Sequence, residues 1–236
     1  MYSIFDRAIM HSVIEQLQHK QLIWQGSLHR GELETSTSGY EELDNQLNGG
    51  FPNHGVVEIR SPSGIGELCL LTPYIKEAGK SRLSVFINPP GYLCADYFMQ
   101  QNMALDRIIL IFPKTETEAL WSAEQCLKSG CSGSVTLWHP ALEVHQAKRL
   151  QVASEAGKCL HFLFKTDHKQ RITLPVSLSL ELQPKSNGLQ VSVNKRKGGW
   201  LQRSFFIDAR QHWPYLARQE HTDSVIPFPI LKRGNA

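Results

Sequence analysis

The chain has 236 residues, 41% hydrophobic and 20% charged, with a formal net charge of +3 and ten histidines. That length suits one large domain with short extensions and a real core, and the balance of residue types is that of a globular protein rather than a disordered or fibrous one. The mild basic excess permits contact with nucleic acid or an acidic partner without demanding it. Five cysteines (Cys69, Cys94, Cys126, Cys131 and Cys159) form an odd count with no C-x-x-C pair, which argues against a disulfide framework or a zinc site. No apolar run approaches the roughly 18 residues that cross a bilayer, and the N-terminal Met-Tyr-Ser-Ile-Phe-Asp has no signal-peptide pattern. The expectation is a cytoplasmic protein with no cofactor and no membrane association.

In chain order, Ile9, Val13, Ile14 and Leu17 at helical spacing predict an amphipathic helix over 7–18, followed by a polar linker to residue 36. A second short helix opens near Ser38-Gly39, carries Leu43 and Leu47, and ends at Gly49-Gly50. Strands are predicted at Gly55–Arg60, Leu83–Ile87, Arg107–Phe112, Ser134–Trp138 and Leu160–Phe164. Helices are predicted from Leu68, over 93–103, over Thr115–Ser129 with Thr115 and Glu118 in capping-box spacing, and over Leu142–Ala156. Short apolar strands alternating with helices specify an α/β fold with a mainly parallel sheet. After residue 172 the pattern changes. Leu174, Val176, Leu178, Leu180 and Leu182 alternate strictly, as do Leu189, Val191 and Val193, and a third run covers Trp200–Ile207. This predicts a C-terminal antiparallel meander extending the same sheet. The domain is placed at 37–210, with 211–236 a proline-containing tail.

The loop after the first long strand reads Ser61-Pro62-Ser63-Gly64-Ile65-Gly66-Glu67-Leu68. A phosphate loop, G-x-x-x-x-G-K-[ST], occupies the same strand-to-helix position: its backbone N–H groups hold phosphate, its Lys neutralises charge and its hydroxyl holds Mg²⁺. Here Gly66 is kept, but Glu67 replaces the Lys and Leu68 the hydroxyl. A carboxylate about 4 Å from a phosphate oxygen costs about 1 kcal/mol in water and several at an effective dielectric near 20. Ser61, Gly64, Gly66, Glu67 and Leu68 therefore read as a degenerate phosphate loop with no tight MgATP binding and no catalytic residue, and Glu67 also suits a helix N-terminus.

The stretch from Thr37 to Ile59 resembles the RecA segment that leads into its phosphate loop. The segment Arg149–Phe164 is similar to the ImuA family, RecA-like accessory proteins of bacterial mutagenesis cassettes, and to the related SulA family. Asn194-Lys-Arg-Lys-Gly-Gly199 resembles the basic-Gly-Gly ending of ImuA. The similarity runs from about Ile23 to Asp208. It implies a RecA-like fold and a non-enzymatic role in SOS-induced translesion DNA synthesis, with an ImuB-type polymerase-like protein, a DnaE-type error-prone polymerase and RecA as partners. A SulA-like division inhibitor binding FtsZ is the alternative. RecA-type ATPases also carry a catalytic Glu after the second strand and an acidic residue ending the fourth. This chain has Asn88-Pro89-Pro90 and Trp138-His139-Pro140 in those places.

Several further features have bland and sharp readings. Lys195, Arg196 and Lys197 with Trp200 could meet a phosphate backbone and stack on a base, or sit on a solvated hairpin edge. His139 and His145 lack a third ligand at metal-site spacing. Trp24 and Trp121 read as packing residues, Cys126 and Cys131 as inert, and the 7–18 helix as a partner-docking or self-packing element.

Overall fold

The computed structural model describes residues 34–165, 174–197 and 203–215. The 7–18 helix, Trp24, Trp200 and the tail beyond residue 215 lie outside them. A short antiparallel ribbon joins β1 (Thr35–Ser36) to β2 (Phe51–Pro52), with α1 (Glu41–Leu47) between them. Then follow β3 (Gly55–Arg60), α2 (Glu67–Ala78), β4 (Leu83–Ile87), α3 (Ala95–Gln100), β5 (Ile108–Ile111) and α4 (Glu116–Lys128). The chain continues through β6 (Ser132–His139), α5 (Val144–Gly157), β7 (Leu160–Lys165), β8 (Leu178–Lys185), β9 (Gly188–Arg196), β10 (Arg203–Asp208) and α6 (Ala209–His212).

Eight strands form one sheet in the order β10-β9-β8-β3-β7-β6-β4-β5. From β5 to β8 every neighbouring pair is parallel, and β8-β9 and β9-β10 are antiparallel. The meander expectation holds for β8 to β10, except that Leu174 and Val176 lie before β8 and that β8 joins the sheet in parallel rather than antiparallel, pairing Val57 with Leu178. Alternation of apolar residues reports which face is buried, not strand direction, so the sequence pattern could not distinguish the two.

Two apolar clusters, one on each face, hold the layers together. Val57, Ile59, Phe86, Phe162 and Phe164 pack with Leu43 and Leu47 of α1, Leu70, Leu71, Tyr74 and Ile75 of α2, and Phe98 of α3. On the other face Val56, Val85, Ile87, Val135, Leu137 and Leu163 pack with Ala119, Ala123 and Leu127 of α4 and with Ala147, Leu150 and Ala153 of α5. Neighbours along a strand point to opposite faces, which is why the central strands read as continuous apolar runs. Strands β8 and β9 contribute Leu178, Leu180, Leu182, Leu189, Val191 and Val193 to the first cluster alone, hence their strict alternation.

The caps follow the sequence closely. Thr115 accepts the Glu118 N–H at 3.1 Å, while the Glu118 carboxylate accepts the Lys114 N–H at 2.8 Å. The reciprocal box forms instead at α5, between Glu143 and Gln146. The tail departs from expectation at its start. Trp213 is 5% exposed, and its Nε1 donates to the Tyr40 hydroxyl at 3.1 Å, which donates to the Cys69 carbonyl at 2.8 Å. An aromatic side chain that finds both an apolar slot and a partner for its N–H anchors the chain there. Trp121, expected to pack, is instead 61% exposed.

His161, on β7, is fully buried with its Nδ1 3.0 Å from the Val135 carbonyl oxygen, and burial pushes its pKa down to about 4. Burial also holds His139 below the ordinary histidine range. The unfolded chain therefore takes up these protons first, near pH 6.5, so their contribution to stability is complete above that pH and is lost as pH falls below it, for His161 toward pH 4. For His161 alone the loss is about 2 kcal/mol at pH ~5. Urea unfolding at neutral pH and near pH 5 checks this, and His161→Leu should flatten the acid limb; an unchanged limb would remove His161 as its cause.

Candidate functional site: a glycine turn closed by its own carboxylate

The parallel strands deliver their C-terminal ends to one edge of the sheet, and the Ser61–Gly66 loop sits there between β3 and α2. Ser61 is buried and its hydroxyl donates to the Pro62 carbonyl at 2.7 Å. Gly64 and Gly66 have φ of +81° and +93°, values that only glycine adopts without strain. This turn directs the Gly64 and Ile65 N–H groups inward, as a loop that holds an anion must.

The anion is already present in the chain. Glu67, the first residue of α2, is 8% exposed. Its Oε1 accepts the Gly64 N–H and its Oε2 the Ile65 N–H, each at 3.0 Å. Charge-assisted bonds of this kind are worth about 1.5–3 kcal/mol each, and a carboxylate in the first helical turn also complements the helix dipole. A phosphate entering the loop would have to displace these bonds and face a like charge at about 4 Å, roughly 4 kcal/mol at an effective dielectric of 20. Leu68 is half-buried and packs on the first apolar cluster.

The neighbouring strand ends are structural too. Asn88 adopts φ +54°, its N–H donates to the Ile111 carbonyl at 2.9 Å, and its Nδ2 donates to the Trp138 carbonyl at 3.3 Å, tying β4 to β5 and β6. Trp138 stacks on Phe164 with ring centroids 5.0 Å apart and lies against Phe86. His139 is 2% exposed, and neither ring nitrogen has a hydrogen-bond partner among the described residues; the Glu116 carboxylate is 4.0 Å away. Among the described residues no cluster of His, Cys, Asp and Glu has the makings of a metal site.

No family model matches the chain. Among curated proteins it is 28% identical over 151 residues to the RecA protein of Treponema denticola, covering 60% of this chain and 36% of that one. It is 29% identical over 107 residues to RecA of Corynebacterium glutamicum, covering 44% and 28%. It is also 26% identical over 97 residues to the cell division inhibitor SulA of Photorhabdus laumondii, covering 41% and 55%. The chain is related to the RecA and SulA proteins. Its matched stretch spans about a third of the length of those RecA proteins and about half of that SulA. A solved SulA structure from Pseudomonas aeruginosa aligns over 46% of this chain and 96% of its own, with 25% identity and a TM-score of 0.40.

The second predicted site is dispersed. Lys195 is half-buried and its Nζ donates to the Leu174 carbonyl at 2.6 Å. Arg196 lines a crevice with Thr35, Leu47 and Leu178, and burial lowers its pKa. Lys197 is exposed. Neighbours along a strand face opposite ways, so Lys195 and Arg196 do not share one surface. They pair with β8 at Ser179 and Leu178, not at a free hairpin edge. His145 is exposed beside Glu143 at 3.0 Å.

Sequence reading did not anticipate that Glu67 folds back onto its own loop; a Glu directly after a Gly-x-Gly turn was the available signal. Glu67→Ala should lower stability by about 2 kcal/mol by leaving two loop N–H groups to water, and Glu67→Gln, with one acceptor oxygen, by less. Urea midpoints check this, and an unchanged midpoint in Glu67→Ala would mean the loop does not depend on the carboxylate.

Proposed function

We propose that this protein is a non-catalytic relative of RecA that serves the SOS response through protein contacts. The observation that carries this reading is the Glu67 carboxylate seated on the Gly64 and Ile65 N–H groups, where a phosphate loop would hold its nucleotide. The absence of carboxylates at Asn88 and His139 supports it, because phosphoryl transfer to water needs a group that orients the nucleophile and groups that hold the metal. In this role the chain is an accessory of translesion DNA synthesis, and its partners are an ImuB-type polymerase-like protein, a DnaE-type error-prone polymerase and RecA. A second reading, a cytoplasmic division inhibitor acting on FtsZ, is supported by the likeness to SulA over 97 residues.

Two measurements decide between these. Affinity capture with the full chain should retain the polymerase-like subunit and the error-prone polymerase, and purified protein should leave the GTPase rate of FtsZ unchanged. Lowered FtsZ turnover together with failed capture of folded polymerase partners would favour the division inhibitor. The nucleotide claim has its own check. Equilibrium titration with a fluorescent ATP analogue should show no saturable micromolar binding to the native chain. The paired change Glu67→Lys with Leu68→Thr, which frees the loop N–H groups and restores charge and hydroxyl, should raise affinity at least tenfold, about 1.4 kcal/mol. Tight binding that native ATP displaces from the unaltered protein would overturn the reading.

A further inference from the structure

The edge of the sheet opposite the loop carries a second, independent feature. There the N-terminal ends of β4 and β5 meet the C-terminal end of α2 around a cavity of about 270 Å³, whose lining includes Lys76, Gly79, Lys80, Ser84, Asn102 and Arg107. Ser84 is 1% exposed, and its hydroxyl oxygen has no hydrogen-bond partner among the described residues. Leaving a buried hydroxyl unpaired costs about 1–3 kcal/mol, and such groups are rare enough in folded proteins that each invites a cause. A ligand that enters the cavity and accepts from Ser84 supplies one.

Gly79 is the second observation. Its φ of −77° is open to any residue, so backbone conformation does not demand glycine. A Cβ there would stand 2.8 Å from the Ser84 oxygen and 3.0 Å from the Ile75 carbonyl oxygen. Glycine at this position keeps a side chain from pressing on the hydroxyl. The third observation is charge. Lys76 and Lys80 lie one helical turn apart, and Arg107 arrives from the turn before β5 and donates to the Lys80 carbonyl, which holds it on the rim. Lys80 is paired with the exposed Glu77 at 2.6 Å, so Lys76 and Arg107 supply the positive charge facing the recess.

We propose that this cavity binds the phosphate group of a small phosphorylated molecule, with the Ser84 hydroxyl donating to a phosphate oxygen and Lys76 and Arg107 balancing its charge. The volume lies at the lower edge of small-molecule pockets, which run from about 300 Å³ upward, and so fits a compact ligand. Phosphate offers acceptor oxygens in several directions, which suits donors that converge from a lysine, an arginine and a hydroxyl on separate elements. The site is remote from Glu67 and does not rest on the proposed function.

The experiment titrates the full chain calorimetrically with inorganic phosphate, with glycerol phosphate and with a short single-stranded oligonucleotide. Saturable binding of glycerol phosphate is expected, tighter than inorganic phosphate. Ser84→Ala and Lys76→Gln should each weaken it roughly tenfold, the loss of one charge-assisted hydrogen bond. Gly79→Ala should abolish it. Ser84→Ala deletes an unpaired hydroxyl, so it should melt at or above the native temperature, which separates lost binding from lost folding. The proposal is overturned by no saturable heat, by equal affinity in Ser84→Ala, or by a lowered melting temperature in that variant. Binding of the oligonucleotide alone would also overturn it, by assigning the charges to a nucleic-acid surface.

Discussion

Burial of the central strands on both faces is the constraint from which the rest follows. Val56 and Val57 on β3, Val85 and Phe86 on β4, and Leu163 and Phe164 on β7 send neighbouring side chains into opposite apolar clusters. A sheet covered this way cannot place an accessible polar side chain along the middle of a strand without an unsatisfied partner. Glu58, inside β3, is buried and accepts from the Ser179 hydroxyl, and accessible polar chemistry gathers at the strand ends. At the C-terminal ends stand Glu67, Asn88 and His139; at the N-terminal ends stand Ser84, Lys76 and Arg107. The two candidate sites are consequences of one packing arrangement, and their separation across the sheet keeps them electrostatically distinct.

At the C-terminal edge, a turn with two glycines at positive φ aims N–H groups inward whether or not a ligand is bound, and those groups must be paired with something. In a nucleotide-binding loop the ligand pairs them. Here the chain provides its own carboxylate, one residue beyond the turn. Intramolecular pairing has no association entropy to overcome, so a nucleotide must outcompete a partner at very high effective concentration. A single substitution at the lysine position would weaken nucleotide binding. A glutamate that reaches back to the N–H groups occupies the site. Leu68, the next residue, packs against the first apolar cluster.

How much of this was legible in the sequence depended on the physical signal at each residue. Gly55–Arg60 and Leu83–Ile87 have the bounds that their apolar residues and flanking turn residues predict, because nearly all of their side chains are buried on one face or the other. The parallel entry of β8 was not legible, since period-two alternation is the same in either direction. The ribbon of Thr35–Ser36 with Phe51–Pro52 was too short to leave a pattern. Trp121 and Trp213 went opposite ways from expectation for one reason: composition marks a tryptophan as apolar, but only tertiary geometry decides whether a slot and an N–H partner exist. Tyr40, nearly 175 residues away in the chain, supplies both for Trp213.

The same distinction governs the charges. Lys195, Arg196 and Lys197 are contiguous in sequence and look like a patch, yet β9 turns Lys195 and Arg196 to opposite faces, Lys197 lies past its end, and Lys195 is spent on the Leu174 carbonyl. Lys76, Lys80 and Arg107 look scattered, yet the end of α2 and the turn before β5 bring them around one cavity with a buried hydroxyl at its wall. Coulomb interactions act through distance in space, falling with separation and with solvent. Convergence from separate elements therefore outweighs a run of like charges on a strand, and it explains why the stronger candidate for anion recognition carries no sequence motif at all.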